Sequence, residues 1–347
     1  MMRIAALLVA LPCVAGCSSI EYYAQAVSGQ FEVIWLASPI EERLQDTGTP
    51  PALREKLKRV LVIRDFASRD LGLPDNDSYR RYADLGRPFV LWNVFAAPEF
   101  SVMPVQSCFP VAGCVSYRGF YAEEAARKHA DALAKEGDDV YVGGVTAYST
   151  LGWFSDPVLS TFVNYPEPEV ARILFHELAH QEVYVKGDTV FNESFAVAVE
   201  EEGLRRWLDR EGTPALRAAY VDSRKRQAEF ASLVLKYRTR LADFYANPLP
   251  AEEKRDGKRR LFAEMSEEYG VLKTSWGGYA GFDRLIARGL NNAFLVSISS
   301  YTELLPAFRA LLAQEKGALP AFYRAVRDLS TLDKAERDSA LSKLAAS

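Results

Sequence analysis

The sequence predicts an α+β fold, predominantly helical: a small β-sheet, then an antiparallel pair of helices, then a C-terminal helical region. Three observations predict it. Apolar residues recur at helical spacing over long stretches, among them 52–71, 214–245 and 250–271. Strand-like runs of β-branched and aromatic residues stand out in the interval 88–154. Two helical stretches, 166–185 and 190–208, are separated only by a turn around Gly187-Asp188-Thr189, and helices joined so briefly lie antiparallel.

With 347 residues the chain can bury a substantial core. Its formal net charge is −4 and it has no long basic run, which excludes the electrostatic footprint of a nucleic-acid binder. After Met1-Met2-Arg3, residues 4–14 form an apolar run too short to span a bilayer and matched to the core of an export signal. The run ends in Val14-Ala15-Gly16-Cys17, small residues before a cysteine that resemble the lipobox of bacterial lipoproteins. The resemblance implies removal of residues 1–16, a lipid on Cys17 and a membrane partner. Ser18 stands where lipoproteins of the inner membrane commonly carry Asp, so the expected address is the periplasmic face of the outer membrane. A soluble periplasmic protein with a conventional cleavage site is the alternative.

The mature chain, 17–347, is expected to form one domain: helices plus the small sheet in 17–165, the helix pair in 166–210, and helices in 211–347. Residues 20–45 read as one helix leading off the anchor. Pro51 suits a first helical turn, and Gly72 and Pro74 end the helix over 52–71. Phe89-Val90-Leu91-Trp92-Asn93-Val94-Phe95 reads as a buried strand, with short strands at 102–105 and 114–121. An exported compartment permits disulfides, and Pro110 with Gly113 supplies a turn, so Cys108 and Cys114 are expected to bridge; a zinc-binding cysteine pair is the rival. A helix follows over 122–136, carrying His129 as a surface residue. Residues 140–154 read as a strand that can run beside a bound extended peptide, with Gly143 and Gly144 allowing close approach.

The chemistry concentrates in Phe175-His176-Glu177-Leu178-Ala179-His180. Residues four apart share a helix face, so His176 and His180 can present two nitrogens to one metal ion, with Glu177 beside them as a base. The chain has three histidines and this segment holds two. A catalytic zinc takes a third protein ligand. Glu200 has the spacing of thermolysin-like enzymes. Glu193 has the Asn-Glu-x-x-Ala context and lies at the near end of the second helix, so Glu193 is taken as ligand, with Glu200 as an outer support to a ligand histidine and Asn192 as a further outer group. Tyr301 and Tyr148 are candidate donors to an oxyanion.

Taken together, the lipobox, the segment Cys108 to Tyr121, Ala147-Tyr-Ser-Thr-Leu-Gly-Trp-Phe154, the H-E-L-A-H-Q helix, Phe191-Asn-Glu-Ser-Phe-Ala196 and Asn291-Asn-Ala-Phe294 resemble the putative zinc aminopeptidase family of Gram-negative lipoproteins. The resemblance covers nearly the whole mature chain. It implies a zincin-like domain binding one Zn2+ and a gluzincin-type peptidase acting on peptide or protein substrates. The Gly-x-Met-Glu-Asn stretch that grips the substrate amine in better-known gluzincin aminopeptidases is absent: Gly143 to Trp153 occupies the comparable place and has no acidic residue. An envelope endopeptidase and a non-catalytic envelope chaperone or scaffold are therefore the alternatives.

Overall fold

The structure is a computed structural model that describes residues 14–109 and 113–345. The leader over residues 1–13 and the turn at Pro110 lie outside the described residues, and Cys17 is described only as part of a helix backbone.

The chain begins α1 (Val14–Leu36), β1 (Ser38–Pro39), α2 (Ile40–Gln45), α3 (Pro51–Arg69), β2 (Arg81–Ala83) and β3 (Leu91–Pro98). Then come β4 (Ser107–Phe109), β5 (Gly113–Val115), β6 (Arg118–Phe120), α4 (Glu123–Lys135), β7 (Asp138–Val145) and β8 (Val158–Leu159). The helix pair is α5 (Glu167–Glu182) and α6 (Thr189–Glu211). The remainder is helical: α7 (Pro214–Tyr245), α8 (Ala251–Ser275), α9 (Asp283–Ala287), α10 (Asn292–Thr302), α11 (Leu305–Gln314), α12 (Leu319–Ser330) and α13 (Lys334–Ala345). The predominantly helical α+β class is as the sequence predicts.

Local chemistry explains the boundaries. The helix predicted over 20–45 is interrupted, because Pro39 has no N–H to donate and holds Ser38 extended. Ser38 and Pro39 pair instead with Tyr82 and Arg81. Asp188 caps α6 by accepting from the Phe191 N–H (3.2 Å), and Thr213 caps α7, whose first residue is Pro214.

Where one small sheet is predicted, the described residues form three, in the orders β1-β2-β8, β6-β3-β7 and β4-β5. Residues 102–105 are not a strand; Pro104 has no N–H for a ladder, and the bond from Val105 N to Ala96 O (2.8 Å) ties the segment to β3. The predicted strand over 140–154 stops at Val145, opposite Leu91, the first residue of β3. Beyond it the chain loops: the Asp156 carboxylate accepts from Thr150 N (2.8 Å) and Oγ1 (2.7 Å), and Leu151 and Gly152 take positive φ (56° and 80°). His129 is half-buried rather than on the surface, its ring 5.3 Å from that of Phe120.

The largest core runs from Val33 to Leu341 and encloses the helix pair. Phe175 of α5 and Phe191 and Phe195 of α6 are fully buried, the last two against Phe308 of α11. Packing at this density fixes the two helices against each other, and with them every side chain they carry.

Candidate active site

The antiparallel pairing of α5 and α6 brings His176, His180 and Glu193 together, with one ligand atom from each lying within 4.8 Å of the others. His176 Nε2 is 3.3 Å and His180 Nε2 3.7 Å from the same oxygen, Glu193 Oε2. Zinc bonds of about 2.0–2.1 Å in tetrahedral geometry put neighbouring ligand atoms about 3.3 Å apart. The donor set and its spacing therefore fit a metal ion. All three side chains are about nine-tenths buried, so their lone pairs have little water to turn to.

The far side of His176 is braced. Its Nδ1 lies 3.0 Å from Glu200 Oε2, and Glu200 is held in turn by Arg172 Nη1 at 3.0 Å. Glu200 lies two turns beyond Glu193 on α6, which puts it behind the histidine rather than beside the other ligands. Burial opposes its ionisation, but Arg172, His176 and Arg224 hold it below the usual carboxylate range. His180 Nδ1 is buried without a hydrogen-bond partner among the described residues.

Charge is concentrated here. Burial works against a proton on His176, yet its hydrogen bonds to Glu193 and Glu200 overcome that and push it up to about 10. Glu193 is likewise opposed by burial but drawn down to about 2 by the two histidines. Ligation needs a neutral His176, whereas Glu193 and Glu200 favour a protonated one. A metal cation and that proton thus compete for the same favourable position. Burial raises Glu177, with the two histidines acting against it.

Two cavities meet at this point. One, of about 360 Å³, is lined by His176, Glu177, His180, Glu193, Tyr148 and Tyr301 among others. The other, of about 580 Å³, shares His176, Glu177 and Tyr301 and adds Arg172, Arg224 and Arg309. Val145 and Ala147 line both, so the end of β7 runs along the pair. β7 is also an edge strand of its sheet, as a strand beside an extended peptide must be.

The two tyrosines differ. The Tyr301 ring lies 6.4 Å from the His176 ring, at the junction of the cavities. Tyr148 also lines the smaller cavity, but its hydroxyl donates to Gln30 Oε1 (2.6 Å). Asn192 does not reach a metal-facing histidine. Its Oδ1 accepts from Val185 N (2.7 Å) and its Nδ2 donates to Val185 O (2.8 Å), closing the turn where the end of α5 leaves backbone groups free.

Cys108 and Cys114 form a disulfide across β4 and β5. This hairpin is part of the site: Phe109 and Val115 line the smaller cavity. Gly113 lets it press on the α5–α6 turn, since a Cβ there would come within 2.7 Å of Gly187 N. The α1 helix supplies another wall through Tyr22 and Ala26. Gln30 of α1 holds the hydroxyls of both Tyr121 (2.9 Å) and Tyr148. Sequence reading missed Gln30 and Asn93. The signal for Asn93 was a lone amide in an otherwise apolar strand; nothing local marks Gln30.

A family profile described as "Putative aminopeptidase" matches residues 21–341. No curated protein and no solved structure matches the chain significantly.

Proposed function

The chain belongs to the putative aminopeptidase family, and from that premise we propose that it is a zinc-dependent metallopeptidase of the gluzincin type. The observation that carries this reading is the convergence of His176 Nε2, His180 Nε2 and Glu193 at ligand spacing, with Glu177 on the same cavity wall. His176, His180 and Glu193 would hold the ion. When bound, zinc supplies a Lewis acid that makes water acidic near neutral pH and polarises a carbonyl.

The chain's own groups do the rest. Glu177 takes a proton from the attacking water as its oxygen bonds to the scissile carbonyl carbon, and hands that proton to the leaving amine nitrogen as the C–N bond breaks. Burial raises this carboxylate above its ordinary value, which strengthens it as a base. Glu193 and burial hold the Tyr301 hydroxyl well above the phenol range, so it keeps its proton and can donate to the carbonyl oxygen as charge develops there. Glu200 fixes the His176 ring through Nδ1, and Arg172 fixes Glu200.

The same reading includes a lipid anchor on Cys17 at the periplasmic face of the outer membrane. Support comes from α1, which shows Tyr23, Val27, Phe31 and Trp35 to solvent on successive turns, with Trp35 84% exposed. No helix among the described residues is long and apolar enough to cross a membrane.

The test is metal analysis with a peptide-library digest. Zinc near one per chain and hydrolysis abolished by Glu177→Gln, with zinc retained, are expected. Undiminished turnover by that variant would remove Glu177 from its role, and a zinc-free, inactive protein would favour a non-catalytic scaffold.

A further inference from the structure

A third cavity, of about 320 Å³, lies on the α4 side of the β6-β3-β7 sheet. Side chains alternate along β6, so Gly119 lines the catalytic chamber while its neighbour Arg118 lines this cavity. Tyr22 and Phe109, stacked with ring centroids 5.5 Å apart, line both and stand between them. The polar lining beside Arg118 comes from His129 of α4, from Gln106 and Ser107 at the start of β4, and from Tyr23 of α1. Among the described residues that line it there is no aspartate or glutamate.

Arg118 lacks a counter-charge. It pairs with no carboxylate among the described residues; its guanidinium lies instead 4.0 Å from the Tyr22 ring centroid and 5.7 Å from that of Phe120. Its Nε is buried but the residue is partly exposed, so the terminal nitrogens are what a ligand reaches. The neighbours do not neutralise it. Burial holds the Tyr22 hydroxyl above the phenol range against the pull of Arg118, and burial together with Arg118 holds His129 below the ordinary imidazole range. Both groups are therefore neutral near pH 7, and each has one hydrogen to offer an anion. A guanidinium presents a fork that matches carboxylate or phosphate oxygens. Here the further donors stand on α1, α4 and β4, so an anion is met from several walls, which suits a tetrahedral phosphate better than a flat carboxylate.

We propose that this cavity binds a phosphate ester through Arg118, with His129, Ser107 and Gln106 as further donors. Its position favours a phospholipid headgroup as the source. Tyr23 lines the cavity and also begins the exposed stripe that continues through Val27, Phe31 and Trp35. A lipid whose chains lie along that stripe would carry its phosphate at the mouth of the cavity. Cys17 stands roughly 8 Å before Tyr22 along the axis of the same helix. The proposal does not rest on the peptidase reading, because Arg118 and His129 take no part in the chemistry at His176.

The test uses the mature chain with Cys17→Ser, so that binding does not depend on a covalent lipid. Glycerol phosphate is titrated in solution by calorimetry. Vesicles of phosphatidylglycerol, and of digalactosyl diacylglycerol, which lacks phosphate, are compared by flotation. Arg118→Met keeps a stem against Tyr22 and removes the fork. It should weaken binding to phosphatidylglycerol about tenfold or more, the range of one charge-assisted hydrogen bond, and leave galactolipid binding unchanged. Lys135→Gln removes the same charge from the last residue of α4, outside the cavity, and should leave phosphatidylglycerol binding close to its parent value. A loss confined to glycerol phosphate would keep the site and make a free phosphate ester its ligand. Equal losses from Arg118→Met and Lys135→Gln, an equal loss on galactolipid vesicles, or phosphate binding indifferent to Arg118 overturns the site. Should Arg118→Met fail to fold, Gln106→Glu sets a carboxylate at the exposed rim of the cavity and should bring the same phosphate-specific loss. Unchanged binding by that variant also overturns the proposal.

Discussion

His176 stands between two carboxylates, Glu193 on its Nε2 side and Glu200 on its Nδ1 side, and the two act differently. Glu200, pinned by Arg172, needs the ring to carry a proton on Nδ1. Glu193 needs a positive partner near Nε2, which a proton or a metal ion can provide. With the imidazole pushed up to about 10, the proposed zinc ion would have to displace that proton at neutral pH. The sign follows: acidification favours the proton, so zinc affinity falls as pH falls. Titration against a competing chelator from pH 8 to pH 6 should show the apparent Kd rising about tenfold per pH unit for one displaced proton. An apparent Kd indifferent to pH would mean that His176 is not a ligand.

At the scale of elements, the site depends on how α6 starts. Asp188 caps that helix and also receives Arg337 of α13 at 2.7 Å, with both side chains about 5% exposed or less. Removing one partner of such a buried pair costs roughly 3–5 kcal/mol, because the other charge is left behind. Asp188→Ala should therefore lower stability by about that much in urea unfolding, and it should weaken zinc binding, since Glu193 lies just beyond the loosened first turn. A loss below ~1 kcal/mol would show that the Arg337 pair adds little beyond a cap. The helix pair was legible in the sequence because its information is local: ligands four apart, a short turn and a capping aspartate. The edges of the sheets were not, because a strand such as β7 ends where its partner ends, and that partner lies some fifty residues earlier in the chain. The same limit hid Gln30, whose carbonyl meets Tyr148 across a separation of 118 residues. It also explains Asn192, which the Asn-Glu context set beside the metal ligands and whose amide instead closes a turn.

For the whole molecule, α1 has two working faces. The inner one docks closely: a Cβ on Gly29 would fall within 2.1 Å of the Tyr121 ring, and Gln25 Oε1 accepts from Tyr121 N at 3.0 Å. The outer one presents Tyr23, Val27, Phe31 and Trp35. An apolar and aromatic stripe beside the proposed lipid attachment at Cys17 suits the boundary between headgroups and acyl chains. A Cys17→Ser form, lacking the lipid, should still associate weakly with phospholipid vesicles. The double change Phe31→Glu and Trp35→Glu should reduce that association at least about tenfold in flotation assays. Vesicle binding that the double change leaves intact would exclude this face as the contact.

The wall that α1 builds for the smaller cavity has a consequence for release from the proposed lipid anchor. Tyr22 and Ala26 line the chamber, and Gln30 ties down the tyrosines behind it, all within the helix that carries Cys17. If Cys17 carries the proposed lipid, a cut in the segment between α1 and α2 followed by undocking of α1 would release the rest of the chain and strip the chamber of one side. On the proposed anchoring, a shed form lacking α1 would also lack one side of the chamber and should lose the proposed activity.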